Sequence, residues 1–306
     1  MQKIPLRPSG SAKSATFLGY GSIILWSLSG ILTAAVSGIP TFEVLAIAFG
    51  VSFVLSCFGW GIWGSFKNLK RPRYTWVLGV IGIYGSESLY VAAFKFAPAA
   101  HVDLISSLWP IFVVVFSVFI PNEKFVARYL VASVIGFFGV YCIVFGDQQW
   151  ISVGDNHWLG YMLALLGACL ACVYTLTTHR YCETSIETMT VYAGCCMLFS
   201  LILHYNFEVT MAPSSMEWAT MIVMGLLTQG LAYMLWNHGV AYGNYRLLSI
   251  MSYSSPIISI FLLILFGFAN LTPQLLAACT LMCFACLIDR TSDDSTPIDT
   301  PRLETA

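Results

Sequence analysis

The chain has 306 residues, of which 58% are hydrophobic and only 9% are charged, and its net charge is −1. Soluble domains carry about a quarter charged residues, so this composition excludes an ordinary soluble protein and indicates a polytopic membrane protein. A net charge so close to zero provides no field that would attract nucleic acid.

Ten apolar stretches of membrane-spanning length follow one another along the chain. A bilayer core of about 30 Å requires roughly 20 apolar residues in a helix. The stretches cover residues 15–38, 42–63, 75–96, 99–120, 126–145, 158–178, 187–205, 217–241, 246–268 and 272–288. The sequence therefore predicts an all-α membrane protein of ten transmembrane helices, and the short links between most of them indicate one compact bundle.

The longest link divides the ten spans into two sets of five. A shift of 146 positions aligns residues of the first set with identical residues of the second: Gly79 with Gly225, Ser106 with Ser252 and Pro110 with Pro256. The motif Leu18-Gly19-Tyr20 likewise resembles Leu159-Gly160-Tyr161. Because five is odd, the second set enters the membrane from the opposite side, as in the inverted repeats of many secondary transporters. We predict a first five-helix repeat at 15–145, a periplasmic linker at 146–157 and a second repeat at 158–288.

Basic residues are distributed unevenly over the links between the spans. If the N-terminus is cytoplasmic, every Lys and Arg except Lys95 falls in a cytoplasmic segment. This asymmetry follows the positive-inside rule and predicts a multi-pass protein of the bacterial inner membrane with both termini in the cytoplasm. Residues 1–14 form the predicted cytoplasmic N-terminal segment, and the polar, proline-containing residues 289–306 form a predicted disordered cytoplasmic tail.

Two of the spans carry a proline near the centre. Pro110 lies four residues after Ser106, and Pro256 lies four residues after Ser252. Proline removes a backbone N–H and frees the carbonyl four residues earlier. In a membrane such a break is tolerated where it faces protein or a watered cavity. Paired breaks in the two halves of a chain are the best sequence indication of a transporter's binding site.

Polar residues within the spans indicate where a ligand would bind. Glu87 lies in the middle of the third span, where a carboxyl group usually faces the bundle interior or water. It is a candidate to exchange a proton or bind an amine, and the alternative is a purely architectural hydrogen bond. In the eighth span, Gln229, Tyr233 and Trp236 share one face with Asn237 beside it. This mixture of amide and aromatic groups suits a small-molecule pocket, and interhelical packing is the alternative.

The predicted substrate site lies between the third, fourth, eighth and ninth spans. Its residues are Glu87, Ser106, Trp109, Pro110, Gln229, Tyr233, Trp236, Asn237, Ser252, Tyr253 and Pro256. The sequence lacks the motifs of metalloproteases, serine hydrolases and nucleotide-binding domains, so no catalytic residue, metal site or cofactor is predicted and the protein is not expected to be an enzyme. His101 and Asp103, near the outer end of the fourth span, are interpreted as a solvated cluster, with a gate as the alternative.

Several short motifs match a known group of transporters. They are Leu25-Trp26-Ser27, Leu108-Trp109-Pro110, Gly167-Ala168 with Tyr174, Ala232-Tyr233-x-x-Trp236-Asn237-x-Gly239 with Gly243-Asn244, and Ser252-Tyr253-x-Ser255-Pro256. Together they resemble EamA-like members of the drug/metabolite transporter superfamily, most closely the YddG-type aromatic amino-acid exporters of bacteria. The resemblance implies ten helices in two inverted repeats, a central cavity and export of amino acids. The chain departs from that group at Ser106-Ser107 and near Ala171, close to the expected cavity.

The combined prediction is a secondary transporter that exports amino acids, aromatic ones included, or related small metabolites by alternating access. We expect a monomer in the lipid bilayer, with protons as candidate coupling ions. One alternative is an exporter of organic phosphates, nucleotide sugars or drugs from the same superfamily. Phosphate recognition needs cationic side chains in the cavity, and only Lys95 lies near the membrane interior. The other alternative is a sensor or assembly protein without transport, which would tolerate a dry, closed bundle.

Overall fold

The computed structural model describes residues 12–63, 73–116, 157–181, 185–252 and 254–290, together with the single residues 69, 131, 134, 135 and 138. Nearly all of the predicted fifth span, the linker up to residue 156, and residues 1–11 and 291–306 lie outside these ranges. Tyr253 of the predicted site also lies outside them.

All regular elements within the described ranges are helical. The first half contains α1 (Ala12–Trp26), α2 (Ser29–Ala35), α3 (Thr41–Trp63), α4 (Arg73–Ala93), α5 (Ala99–Ser106) and α6 (Trp109–Phe116). The second half contains α7 (His157–Tyr181), α8 (Ile186–Phe207), α9 (Ser215–Val223), a π-helical segment (Met224–Leu231), α10 (Ala232–Tyr242), α11 (Tyr245–Met251), α12 (Ser254–Leu265) and α13 (Pro273–Arg290).

Within the ranges that the structure describes, six helical stretches are long and apolar enough to cross a bilayer. They are Ala12–Ala35, Thr41–Gly59, Arg73–Ala93, His157–Thr178, Ile186–Phe207 and Ser215–Tyr242. Large apolar residues are exposed on the outer faces: the exposed fraction is 76% for Phe17 and 70% for Phe58. A protein surface of this kind is stable against lipid rather than water. The described residues therefore confirm the predicted all-α membrane protein, while the arrangement of ten helices stays a prediction.

Two helices are interrupted one turn or less before a proline. α5 and α6 are separated by a turn at Ser107 and Leu108, and α11 is followed by a turn at Ser252. Pro110 and Pro256 then lie in the first turn of α6 and α12, respectively. In a first turn the missing N–H costs no hydrogen bond and the fixed φ angle suits a helix. Each proline therefore lies where a second short helix starts.

A third interruption, between α1 and α2, has no proline. The Ser27 hydroxyl donates to the carbonyl of Ile23 at 2.8 Å, and the Ser29 hydroxyl donates to the carbonyl of Trp26 at 2.6 Å. Serine hydroxyls that bond the preceding turn bend helices. The sequence predicts one continuous helix over residues 15–38, and the structure differs from that prediction at this point.

The helices of the first half pack along those of the second half, with α3 against α8, α4 against α7 and α1 against α10. A Cβ atom on Gly19 of α1 would lie 3.0 Å from the Cα of Gly239 in α10. A Cβ atom on Gly160 of α7 would lie 3.1 Å from the carbonyl oxygen of Ala93 in α4. Small residues therefore set the close approach of two of these helix pairs.

Candidate functional site

A cavity of ≈ 130 Å³ lies between the two halves of the chain. Its walls come from α1, α2, α4, α5, α6, α7, the π-helical segment, α10 and α12. Ser106 and Ser107 contribute to the lining at the first proline break, and Ser252 and Ser255 contribute at the second. Both interruptions therefore face the same internal space rather than the lipid.

The structure brings most of the predicted site residues to this cavity. Those in the lining are Glu87, Ser106, Trp109, Gln229, Tyr233, Trp236 and Ser252. Pro110, Asn237 and Pro256 are buried behind the lining. The lining also contains residues from the first and seventh helices, which the predicted site did not include.

Aromatic rings from three spans form one wall, which consists of Trp26, Trp109, Tyr233 and Trp236. The ring centroid of Trp236 lies 5.4 Å from that of Trp26 and 5.2 Å from that of Trp109. Trp26 and Tyr233 meet edge to face at 5.2 Å. Edge-to-face contacts of this kind hold each ring in a fixed orientation. We call these four residues the aromatic wall, and its flat apolar surface suits contact with a substrate ring.

Trp26 and Tyr174 are functional candidates that the predicted site omitted. Both line the cavity, and the Tyr174 ring lies 5.7 Å from that of Tyr233. Both belong to motifs that carry the family resemblance, so a signal for them was present in the sequence. The motifs gave no indication that the two residues line the cavity, because neither lies near a proline break or on the polar face of the eighth span.

The Glu87 carboxyl group is held by two neighbours on the second half of the chain. The Tyr233 hydroxyl donates to Glu87 Oε1 at 2.7 Å, and the Gln229 amide donates to Glu87 Oε2 at 2.8 Å. Hydrogen bonds to an acidic group are stronger than those between neutral groups and fix geometry as well as energy. Glu87 therefore ties α4 to the π-helical segment and to α10 inside the cavity.

The π-helical segment, Met224–Leu231, presents Thr228 and Gln229 to the cavity. Side chains from the first two spans bind its main-chain carbonyls: Trp26 Nε1 donates to that of Thr228 at 3.1 Å, and Ser52 donates to that of Gln229 at 2.9 Å. π-Helical turns occur frequently at functional sites because they reorient side chains within a helix. The sequence predicts a regular helix here and contains no local signal for the π-helical turn.

Asn237 has a different position from the one predicted for it. It is 0% exposed, accepts a hydrogen bond from the Tyr174 hydroxyl at 2.8 Å and donates to the sulfur of Met189 at 2.8 Å. Its amide is thus occupied within the bundle instead of facing a ligand. The geometry assigns it to holding Tyr174 in the lining, because a ring whose hydroxyl is anchored cannot rotate freely.

The interpretation of Asp103 as part of a solvated cluster is wrong. Asp103 is only 5% exposed and lines the cavity. Its Oδ1 accepts a hydrogen bond from the Tyr90 hydroxyl of α4 at 2.9 Å. The short connection after α4 folds α5 back against that helix, which turns Asp103 inward. The cavity therefore contains a second acidic residue that the predicted site omitted.

The cavity has an acidic character. Its lining includes Glu87 and Asp103, and no Lys, Arg or His occurs among the lining residues that the structure describes. Within those same ranges, no group of three or more His, Cys, Asp or Glu residues could hold a metal ion. The arrangement is suited to a ligand that carries an aromatic or apolar part and an amine.

Comparison with known proteins relates the chain to transporters. The EamA-like transporter family matches residues 13–145 and 158–288. The aromatic amino acid exporter YddG of Ancylobacter novellus is 30% identical over 278 residues, which cover 89% of this chain and 95% of that protein. The exporter of the same name from Escherichia coli is 24% identical, covering 81% and 86%. A solved crystal structure matches with a TM-score of 0.74 and 28% identity, covering 90% of this chain and 96% of the chain in that structure.

These matches confirm the resemblance predicted from the sequence motifs and the prediction of a transporter. They extend over nearly all of the membrane region and include both halves of the chain. Together with the apolar helices, they establish an integral membrane protein with a small-molecule substrate. The chain belongs to the EamA-like transporter family.

Proposed function

We propose that the protein is a secondary exporter of amino acids, aromatic ones included, that works by alternating access as a monomer. Relatives named aromatic amino acid exporters align with 89% and 81% of the chain, which supports this substrate class. The observation that carries the proposal is the cavity itself. An aromatic wall, acidic residues and two helix breaks meet there in one space.

The chemistry of the cavity suits the three parts of an aromatic amino acid. The aromatic wall offers edge and face contacts to a side-chain ring. The acidic lining favours the ammonium group. The carboxylate would lie at the start of α6 or α12, because the positive end of the helix dipole attracts anions. Trp109 of α6 and Ser255 of α12 are first-turn residues and line the cavity.

The size of the cavity favours a small solute. Its volume of ≈ 130 Å³ is similar to the roughly 150 Å³ of an apolar cavity known to hold benzene. Drug-sized ligands occupy pockets of about 300–1,000 Å³. In this conformation the space is too small for a nucleotide sugar, and the acidic lining also disfavours a phosphate.

The proposal includes ten helices in two inverted repeats, 15–145 and 158–288, joined by a periplasmic linker. One family matches the chain twice, over stretches of similar length. Gly19 packs on Gly239, and Gly160, from the equivalent Leu-Gly-Tyr motif, packs on Ala93. Gly239 follows Ala93 by the same number of positions as Pro256 follows Pro110. These two contacts between the halves support the symmetry of the proposed inverted repeat.

A further contact supports the same symmetry. Glu87 and Tyr233, which hydrogen-bond each other, are 146 positions apart. This is the offset that aligns the two prolines, so the pair would occupy equivalent places in the proposed repeats. Equivalent residues of inverted repeats meet only beside the pseudo-two-fold axis, and the axis of such transporters passes through the substrate site near the middle of the bilayer.

Orientation and motion complete the proposal. The distribution of Lys and Arg favours cytoplasmic termini in the inner membrane of a bacterium. Rocking of the two halves about the helix breaks would then open the cavity to either side. The hydroxyl oxygens of Ser27 and Ser255 lie 3.1 Å apart in a hydrogen bond that links the α1–α2 break to the start of α12. This bond is a candidate contact to break during the transition.

Counterflow in proteoliposomes tests the proposal. Vesicles loaded with unlabelled phenylalanine should accumulate labelled phenylalanine, tyrosine and tryptophan, with and without an imposed pH gradient. Trp109→Ala should reduce uptake about tenfold, because the lost ring contacts amount to roughly 1.4 kcal/mol. Trp158→Ala, which alters a 56% exposed tryptophan of α7 away from the cavity lining, is the matched control. Absence of uptake of every amino acid would refute the proposal.

A second candidate is an exporter of organic cations. The two acidic residues and the aromatic wall would also accept an aromatic amine without a carboxylate. The same vesicles, tested with phenethylamine, distinguish the two candidates. An amino-acid exporter should prefer phenylalanine, whereas uptake of phenethylamine alone would favour the organic cation.

A further inference from the structure

The two acidic residues of the cavity differ in how completely they are hydrogen-bonded. Both carboxyl oxygens of Glu87 accept a hydrogen bond, one from Tyr233 and one from Gln229. At Asp103, only Oδ1 accepts one, from Tyr90 at 2.9 Å. Oδ2 of Asp103 is buried and accepts no hydrogen bond from the residues that the structure describes. Glu87 is therefore occupied by the protein, and Asp103 has an open acceptor.

Ser106 provides a second open oxygen on the same face of α5. It lies three residues after Asp103, a spacing that places two side chains next to each other on a helix. Its buried hydroxyl has no hydrogen-bond partner within the described part of the chain, and both residues line the cavity. Two residues of the cavity lining thus each have one buried oxygen atom without a hydrogen-bond partner in the described ranges.

The surroundings of Asp103 are kept open by a glycine. A Cβ atom on Gly30 would lie 2.5 Å from the hydroxyl oxygen of Ser259 and 3.0 Å from Oδ1 of Asp103. Ser259 is 1% exposed, and its hydroxyl also has no hydrogen-bond partner in the described ranges. Ser259 is therefore the protein donor beside this carboxyl group, and no hydrogen bond within the described ranges reaches Oδ2 of Asp103.

Buried acceptors without partners are costly, and native proteins leave them mainly where a ligand or water completes them. An ammonium group is a suitable ligand, since it brings a positive charge and three N–H donors. Resting on the proposed export of amino acids, we infer that Asp103, assisted by Ser106, binds the ammonium group of the substrate. Glu87 is a positioning residue that holds Tyr233 and Gln229 in the lining.

The break between α5 and α6 then matches both charges of a zwitterion. Asp103 and Ser106 lie in the last turns of α5, where the carbonyl end of a helix favours a cation. Trp109 begins α6 only three residues after Ser106, and the N-terminus of a helix favours an anion. A single interrupted span therefore places the inferred ammonium site next to the positive end of a helix dipole.

The experiment compares variants of the full-length protein with three probes. Phenylalanine carries both charges, phenethylamine has only the ammonium, and 3-phenylpropionate has only the carboxylate. Each probe competes against labelled phenylalanine in counterflow. Asp103→Asn should weaken competition by phenylalanine and phenethylamine about tenfold or more, while 3-phenylpropionate changes by less than about twofold. Ser106→Ala, a milder change, should weaken the same two probes about threefold.

Glu87→Gln and Glu208→Gln are the comparison variants. Glu87→Gln should lower the rate of counterflow but leave the ratio of phenethylamine to 3-phenylpropionate competition unchanged. Glu208→Gln removes a charge remote from the cavity lining and should leave the ranking of all three probes as in the wild type. Monodisperse elution in detergent shows that each variant is folded.

Three results would overturn the inference. The first is that competition by the two probes with an ammonium group weakens selectively in Glu87→Gln and not in Asp103→Asn. The second is that competition by all three probes weakens equally in both Asp103→Asn and Ser106→Ala. The third is that counterflow by the wild type stops when choline replaces Na⁺, whereas counterflow by Asp103→Asn does not depend on Na⁺. That result would assign the site to an inorganic cation. Failure of the wild type to exchange any amino acid would instead refute the proposed function, and the inference with it.

Discussion

Acidic side chains occur in two regions of the bundle, and the two regions use them differently. At the end of the bundle where α3 begins, Glu208 accepts hydrogen bonds from the N–H groups of Phe42 at 3.0 Å and Glu43 at 3.2 Å. The His204 ring lies 2.9 Å from Glu208, and Glu43 accepts from the N–H of Met211 at 3.0 Å. The Lys95 ammonium interacts electrostatically with Glu208. We call Glu43, Lys95, His204 and Glu208 the end network. In the cavity, Glu87 and Asp103 accept instead from side chains.

The type of partner distinguishes the two regions. A main-chain N–H at a helix end cannot turn away without unwinding the helix, so acids that bind it hold the fold in place. The donors to the cavity acids are the side chains of Tyr90, Gln229 and Tyr233, which line the cavity. A side-chain donor can be lost without unwinding a helix. Burial alone does not separate the two groups, since acids of both regions are largely buried. The contrast predicts that variants of the end network change stability, whereas variants of the cavity acids change transport, with the rate altered for Glu87 and the selectivity for Asp103.

The largest effect on stability is expected for Glu208→Ala. The substitution leaves two N–H groups at the start of α3 without an acceptor and removes a negative charge from the positive end of the helix dipole. We expect the free energy of unfolding to fall by about 2–3 kcal/mol. Thermal or denaturant unfolding in detergent measures this change. The ranking of substrates in counterflow should stay that of the wild type.

Glu217→Ala is the matched control for Glu208→Ala. Glu217 also caps a helix, since it accepts a hydrogen bond from the N–H of Ser214 at 2.7 Å in the capping box of α9. It is exposed to solvent, so its loss should shift unfolding less. An equal shift for both variants, or an altered substrate ranking in Glu208→Ala, would break the contrast between the two regions.

Local patterns in the sequence located much of the cavity. Proline cannot continue a helix, so Pro110 and Pro256 indicated where two spans are interrupted. The helical period placed Gln229, Tyr233 and Trp236 on one face of the eighth span. These features depend only on residues close together in the chain. They anticipated the residues that the structure brings together from α6, the π-helical segment and α10.

Other features depend on contacts between residues far apart in the chain. The burial of Asp103 follows from its packing against Tyr90, and the use of Asn237 follows from Tyr174, 63 positions away. The carbonyl of Thr228 in the π-helical segment is satisfied by Trp26, 202 positions away. Periodicity and composition contain no information about such pairs. A sequence therefore indicates which residues are polar within a membrane, and the tertiary contacts decide which of them keep a free hydrogen-bonding atom.

An intermediate effect is expected for Tyr174→Phe. The variant removes the hydroxyl that donates to Asn237 at 2.8 Å, so the free energy of unfolding should fall by about 1 kcal/mol. A double-mutant cycle with Asn237→Ala should give a coupling free energy of about 0.5–1.5 kcal/mol, because the two side chains share one hydrogen bond. Unfolding in detergent measures all three variants. Strict additivity would show that Asn237 does not hold Tyr174 in the cavity lining.

The smallest effect on stability is expected for a substitution of Lys95 in the end network. Its ammonium donates to the carbonyls of Ser37 at 3.2 Å and Ile39 at 2.6 Å. Burial lowers the pKa of Lys95 below its ordinary value of 10.5, and the Glu208 carboxylate offsets part of that shift. At pH values between the lowered pKa of Lys95 in the folded protein and its pKa in the unfolded chain, the unfolded chain binds more protons at this residue than the folded protein does.

The contribution of Lys95 to the free energy of unfolding therefore rises with pH through that window. The difference in melting temperature between the wild type and Lys95→Met should shift in favour of the wild type as the pH rises from about 8 to about 10. Because Lys95 is only half-buried, solvent screens its charge and the shift should be small beside that of Glu208→Ala. A difference that falls as the pH rises would mean that the carboxylate of Glu208, and not burial, dominates the environment of Lys95.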